Sequence, residues 1–342
     1  MREISIQKNE AGQRMDKFLA KYLNKAPKSF FYKMMRKKNI TLNGKKAVGN
    51  EQLKQGDVIK LFLAEETIEN FIDHSQFSKK KASSARKQTA GKKVQLDILY
   101  EDEAAVFINK PVGMLSQKAS PTDTSLVEYF IDYLLENGKI TEEELHTFHP
   151  SVCNRLDRNT SGIVAAGKTL QALQGLSEMF RDRTLKKYYL CLVKGQVKEN
   201  QRIHGYLVKN EKTNKVTVSQ KKPAEQTKDG KEASAIDTEY KVLARNRETT
   251  LLEVHLITGK THQIRAHLAS IGHPIAGDYK YGNRSFNDAL KKKYGLHSQL
   301  LHAYRLEFPE NCEEDIKQLS GKIIKAPVPA LFEQICKAQG VM

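Results

Sequence analysis

The chain has 342 residues, with 57 Lys and Arg against 40 Asp and Glu and a net charge of +17 at pH 7, a length comfortable for two domains that bury their own cores. Its four cysteines (Cys153, Cys191, Cys312, Cys336) form no C-x-x-C pair, and no apolar run approaches the ~18 residues of a membrane span, which argues against a disulfide framework and a transmembrane protein and for a cytoplasmic one. Residues 1–93 hold 22 Lys and Arg against 9 Asp and Glu, whereas residues 94–342 hold 35 against 31, so an amino-terminal part is expected to meet a polyanion while the larger part has another task. A membrane surface would want a basic amphipathic helix with a broad exposed apolar face. The short helices here need their apolar residues for a core, which leaves nucleic acid as the expected partner.

In chain order, apolar residues at Met15, Phe18, Leu19, Tyr22 and Leu23 follow the helical repeat. A second helix is expected from Ser29, as N-cap, to about Lys38, with Phe30, Phe31 and Met34 inward. Lys33, Arg36, Lys37 and Lys38 are left outside, where they can neutralise phosphates or simply face solvent. Ile40–Lys45 reads as a strand entering an Asn43-Gly44 turn, and Gly56–Phe62 as another. With Arg14, Asp16, Lys17, Gly44, Gly56 and Asp57 where they stand, residues 13–62 resemble the small RNA-binding module named after ribosomal protein S-four. The resemblance implies a small α/β unit, taken as residues 1–64, that binds RNA through residues such as Arg14 and the basic second helix. Residues 65–93 have little to bury towards their end and read as a flexible basic linker, and residues 94–342 as a second domain.

Residues 98–103 and 104–108 read as a hairpin, closed by Asn109-Lys110-Pro111. That is a structured turn whose Lys110 could reach a phosphate. Residues 125–137 and 141–147 read as helices. Next comes Asn154-Arg155-Leu156-Asp157-Arg158-Asn159-Thr160-Ser161-Gly162, which sets a carboxylate between two guanidinium groups before a sharp turn into the apolar strand 163–166. Nearby positive charge favours the ionised carboxylate; taken alone, the pattern also suits a surface ion pair. Thr169 caps a helix with Leu170, Leu173, Leu176 and Phe180 on one face. Residues 186–195 form a strand with Tyr188 and Tyr189 on opposite faces. Residues 209–232 suit a hairpin and long loop, and 239–244 and 250–257 are strands. Thr258-Gly259-Lys260 turns into a helix from Thr261 that packs Ile264, Leu268 and Ile271 inward and stops at Gly272 and Pro274. Arg265 then falls at the edge of that helix, near its seam with the sheet. The pattern gives an α+β class, a mixed, mostly antiparallel sheet with flanking helices.

The chemistry is narrowed by what is missing. A retaining glycosidase needs two carboxylates, and no second one stands out beside Asp157. The histidines show no i, i+4 pair suited to zinc, and no phosphate-loop or dinucleotide fingerprint occurs, so neither metal nor cofactor is expected. One aspartate can still break a glycosidic bond when the leaving group is a uracil, whose carbonyls spread the charge. The detached base can then rejoin the sugar through carbon.

Residues 94–342 resemble the pseudouridine synthases of large-subunit ribosomal RNA, the family of RluA, RluC and RluD. The likeness is carried by the stretch 154–162, by Thr258-Gly259-Lys260-Thr261-His262-Gln263-Ile264-Arg265-Ala266-His267-Leu268, and by Gly272–Asp278 with Tyr281-Gly282. Shorter matches lie at 109–113, 187–195 and 301–303. Domain order and the segments 282–287 and 300–303 look closest to the RluC type. The resemblance implies that Asp157 is the nucleophile, that Tyr189 lies against a flipped uracil and can act as a base, and that Arg265 pairs with Asp157. It also implies that Arg155 enters the RNA stack or holds its backbone. Asn154 stands where the family usually has His, so an acid–base role there is in doubt. A monomeric enzyme acting on ribosomal RNA, free or in pre-ribosomal particles, is expected; a non-catalytic RNA-binding assembly factor is the second reading, and a DNA glycosylase a weaker third.

Overall fold

The computed structural model describes residues 1–73, 94–142, 144–210, 213, 215–222 and 233–342. The amino-terminal unit contains strand β1 (Arg2–Ser5), helices α1 (Met15–Tyr22) and α2 (Lys28–Arg36), strands β2 (Ile40–Leu42), β3 (Lys45–Lys46) and β4 (Val58–Leu61), and helix α3 (Glu65–Asn70). Its antiparallel sheet has the order β1-β4-β2-β3. Asn43 and Gly44 both take positive φ, 51° and 74°, the conformation that a two-residue hairpin matching strand twist requires. Met15, Phe18, Leu19, Phe31, Met35, Ile59 and Ile68 share one buried cluster.

Two expectations change here. Helix α2 starts after Pro27, whose fixed φ suits a helix entrance, so Ser29 is inside the first turn and caps nothing. Its buried pair is then Phe31 and Met35, with Phe30 and Met34 half-buried. The stretch taken as linker does not begin at residue 65: α3 packs Ile68 into the amino-terminal core, and Ile72 follows it. The remainder of that stretch, residues 74–93, lies outside the described residues.

The larger part is built on an eleven-stranded sheet. Its strands are β5 (Ile98–Glu101), β6 (Ala105–Lys110), β7 (Ser151–Val152), β8 (Ser161–Gly167), β9 (Lys186–Lys194), β10 (Gln201–Asn210), β11 (Lys215–Ser219), β12 (Ser234–Arg245), β13 (Thr249–Leu256), β14 (Leu301–Glu307) and β15 (Ile323–Lys325). The spatial order is β11-β10-β12-β13-β9-β14-β8-β6-β5, with β7 on β8 and β15 on β14. Among the described residues every pairing in this sheet is antiparallel except that of β14 with β8. Both faces are covered, so central strands send alternate residues to different cores. Tyr189, Cys191 and Val193 join the cluster beneath helices α4 (Leu126–Glu136) and α6 (Gln263–Ser270), while Leu190 and Leu192 face helices α7 (Arg284–Tyr294) and α8 (Ala330–Ala338).

Helix α5 (Leu170–Asp182) is capped by Thr169, whose hydroxyl accepts from the Ala172 N–H at 3.2 Å. Of the expected stripe Leu176 is buried and Leu170, Leu173 and Phe180 are half-buried, while Ala172, Gly175 and Met179 complete the buried line, Gly175 lying close to Ile316. Where residues 141–147 are expected to be helical, the described residues among them hold a single 3₁₀ turn, Glu144–His146. That turn receives the amino-terminal unit: the Asn9 amide donates to Glu144 at 2.9 Å and the Thr147 hydroxyl donates to Glu10. Gly162 lies at φ 113°, and a Cβ there would sit 2.1 Å from the Ala303 carbonyl oxygen. Only glycine allows β14 to lie so close to β8. Among the described residues no helix is long and apolar enough to cross a membrane.

Candidate active site

Asp157 lies on the loop joining β7 to β8, and its neighbours on both sides are pinned. The Ser116 hydroxyl donates to the Leu156 carbonyl and accepts from the Leu156 N–H, both at 3.0 Å. On the other side, the Arg158 carbonyl accepts from the Gly113 N–H at 2.8 Å and from the Lys110 ammonium at 3.3 Å. Asn154 is sewn to β8, donating to the Ile163 carbonyl at 3.2 Å and accepting from the Ala165 N–H at 2.8 Å. An uncharged amide supplies that donor and acceptor together, which accounts for a non-titrating residue before Arg155.

The carboxylate itself is about one-quarter exposed (26 %) and accepts from an Arg265 guanidinium nitrogen at 2.8 Å. Arg265, expected at a helix edge, is buried. Its other two nitrogens donate to Asp278 at 2.7 and 2.9 Å. Burial works against the charge of Arg265, yet Asp278 and then Asp157 outweigh it and raise the pKa above the ordinary arginine value. Burial likewise opposes the ionised form of Asp278, but its bonds from Arg265 and from the Lys280 and Tyr281 N–H groups hold the pKa below the usual carboxylate range. Asp278 is thus a second carboxylate at the site, one that the sequence pattern does not single out. With Arg265 locked on both its oxygens, it is a structural anion and a poor general acid.

Tyr189 reaches the same place from β9, where it pairs with Val254 and Ala303. Burial, and then the charge of Asp157, push its phenol above the ordinary tyrosine value, so it is neutral in the resting protein. His262 and Tyr281 complete the surround. The His262 Nε2 stands 3.9 Å from the Asp157 Oδ2, and its Nδ1 is 2.8 Å from the Tyr281 hydroxyl. The Arg265 guanidinium lies 5.2 Å from the Tyr281 ring centroid. Both residues belong to the family-like motifs, with nothing local to mark them. Their partners come from β11 and from turns far along the chain.

One sequence expectation needs correction. Lys110 is no phosphate ligand: it is fully buried, and its three ammonium protons go to the carbonyls of Pro111 (3.0 Å), Met114 (2.9 Å) and Arg158 (3.3 Å). Burial depresses its pKa to about 8, opposed by the Asp157 charge. The guanidinium that pairs with Asp157 is that of Arg265, the partner the resemblance implies, and the flanking arginines lie elsewhere. Arg158 instead donates to the Gly113 carbonyl at 3.0 Å, and Arg155 is exposed. Arg14 is engaged by Asp16 through two bonds of 3.1 and 2.9 Å, although its side chain is still half exposed. Lys33, Arg36, Lys37 and Lys38 are all exposed on or just after α2. Among the described residues, no group of three or more His, Cys, Asp and Glu is placed to hold a metal ion.

Such a site can present one ionised oxygen to an electrophilic carbon, with an aromatic ring alongside and a fixed cation behind. A sequence profile of the RNA pseudouridylate synthases matches residues 104–270. The ribosomal large subunit pseudouridine synthase C of Vibrio parahaemolyticus is 32% identical over 336 residues, covering 97% of this chain and 94% of that protein. Its namesake in Escherichia coli is 32% identical over 310 residues, covering 89% and 88%. The solved structure of human RNA pseudouridylate synthase domain containing 4 superposes with a TM-score of 0.56 at 24% identity, over 72% of this chain and 94% of that one, a likeness of fold. Motifs, fold and near-full-length similarity agree: the chain belongs to the pseudouridine synthase family, in its large-subunit ribosomal, RluC-type branch.

Proposed function

We propose that the protein isomerises uridines of large-subunit ribosomal RNA to pseudouridine, with Asp157 as nucleophile. The observation that carries this is the Asp157–Arg265–Asp278 line, which fixes one charged, partly exposed oxygen beside a buried tyrosine. The target nucleotide is flipped out of its stack, at a cost of roughly a few kcal/mol. Contact with Tyr189, stacking by Arg155 and phosphate contacts elsewhere offset that cost; a base–aromatic stack contributes about 1–3 kcal/mol.

A carboxylate oxygen of Asp157 bonds to C1′ as the glycosidic bond breaks, and its electron pair leaves on uracil N1. The base turns, C5 bonds to C1′, the aspartate is released, and the C5 proton is lost to a base. Tyr189 is placed to serve as that base: its phenol gives its own proton to N1 of the rejoined base as it takes up the C5 proton, and so ends as it began. No step consumes a cofactor.

Residues 1–73 we read as an RNA grip of the S-four type, with Lys33, Arg36, Lys37 and Lys38 as phosphate contacts and Arg14 beside them. The protein acts as a monomer in the cytoplasm, on free ribosomal RNA or pre-ribosomal particles. Incubation with ribosomal RNA carrying uridine tritiated at C5 should release tritium to water with the wild type and none with Asp157→Asn. Equal release by the variant would remove the nucleophile. The strongly basic amino-terminal part also supports a second, assembly role; full rescue of a deletion strain by the Asp157→Asn protein would favour it.

A further inference from the structure

Resting on the isomerase reading, we propose that His262 is the hydrogen-bond donor to the 2-oxygen of the departing uracil. The Tyr281 hydroxyl already accepts the Val216 N–H at 3.0 Å. A phenol has one proton to give, and we assign it to the His262 Nδ1, at 2.8 Å. A ring nitrogen that accepts there leaves the proton of the neutral imidazole on Nε2. Nε2 is the atom facing Asp157, and at 3.9 Å from Oδ2 it is too far to be satisfied by that carboxylate. The chain therefore holds a directed N–H donor beside the nucleophile, one that this carboxylate does not satisfy.

Uridine supplies that oxygen. Its 2-carbonyl is joined through C2 and N1 to C1′, the carbon that Asp157 attacks, so its oxygen stays close to the reacting carbon and within reach of a donor set 3.9 Å from Oδ2. Charge develops on that oxygen when the glycosidic bond breaks, and a preset donor stabilises it more in the transition state than before. The imidazole is suited to the task because it stays neutral: burial lowers its pKa and the Arg265 and Lys280 charges add to that, against the opposing pull of Asp157 and Asp278.

Two features hold the ring in place. The His262 and Tyr281 rings meet edge to face, with centroids 5.6 Å apart. His262 itself takes φ 54° just ahead of α6, a left-handed conformation that glycine would adopt without strain. A side chain is kept at a position where the backbone alone would favour its loss.

The test compares single-turnover isomerisation by wild type, His262→Leu and His262→Gln on one ribosomal RNA fragment, alongside RNA affinity and thermal melting for each. The Leu variant should be slower by about 10²-fold with RNA affinity and melting unchanged. The Gln variant, which returns an N–H near Nε2, should recover part of the rate. Replacing the target 2-oxygen by sulfur, a weak acceptor, should slow the wild type and leave the Leu variant little changed. A Leu variant at the wild-type rate, or one slowed only through weaker RNA binding, overturns the assignment, as does a Gln variant no faster than Leu. The wild-type rate in the same series tests the isomerase reading separately.

Discussion

Asp278 grips Arg265 by two guanidinium nitrogens, at 2.7 and 2.9 Å, and so leaves the third aimed at Asp157. The cation is held by an anion that is itself buried, which fixes the direction of its remaining donor before RNA arrives. Asp278→Asn should therefore slow single-turnover isomerisation while RNA affinity holds. It should also lower stability by about 3 kcal/mol, the cost of leaving a buried charge without its partner. Denaturant melts and a single-turnover time course check both.

Lys110→Met keeps the length of the side chain and removes its three donors. Each orphaned carbonyl costs about 1–3 kcal/mol when buried, and the Asp157 loop loses one of its clamps. The variant should melt earlier and isomerise more slowly, yet the salt dependence of RNA binding should be unchanged. A flatter slope would return Lys110 to the phosphate ligands from which its burial removes it.

His302 is fully buried, with its Nδ1 2.9 Å from the Ser161 hydroxyl. Burial lowers its pKa from 6.5 to about 4, with carbonyl contacts from Ala326 and Pro327 opposing the shift. Between those values the unfolded chain binds a proton that the native one refuses. Stability thus rises with pH from about 4 to about 6.5 and is lost on acidification through the same window, by at most ~3 kcal/mol from this group. His302→Gln should flatten that acid limb in melts taken across the range. An unchanged limb would assign the acid sensitivity elsewhere.

Replacing Lys33, Arg36 and Lys37 together by Glu should weaken binding to ribosomal RNA. The slope of log affinity against log salt should become shallower by ~0.7–0.9 for each phosphate that the protein no longer neutralises. The chemical step on bound RNA should keep its rate. Affinity that is indifferent to the triple change would mean that α2 does not grip the RNA backbone.

How much of this could be read from the chain depended on how local the signal was. The strand at 163–166, the helix capped by Thr169 and the Asn43-Gly44 turn declare themselves within a few residues, and the structure has all three. The pairing of Asp157 with Arg265 was expected through family resemblance, since 107 intervening residues offer no local cue. Lys110 misled because a lysine beside a turn looks the same in one dimension whether it points outward or into carbonyls. Helix α3 was passed over because its six residues are too few to show a period, and its one buried residue, Ile68, is surrounded by acids. Asp278 stands at the end of the matched stretch 272–278, but its role was not legible there, because it lies in what Arg265 does with its far edge.

The position of β14 also bears on when during synthesis the protein becomes competent. This strand lies between β9, which carries Tyr189, and β8, which follows the Asp157 loop. The two halves of the site are thus bridged by a segment that follows all of its side chains in the sequence. A nascent chain still threaded through the ribosomal exit tunnel at residue 301 has those side chains and no assembled centre. Catalysis would be withheld until β14 has emerged.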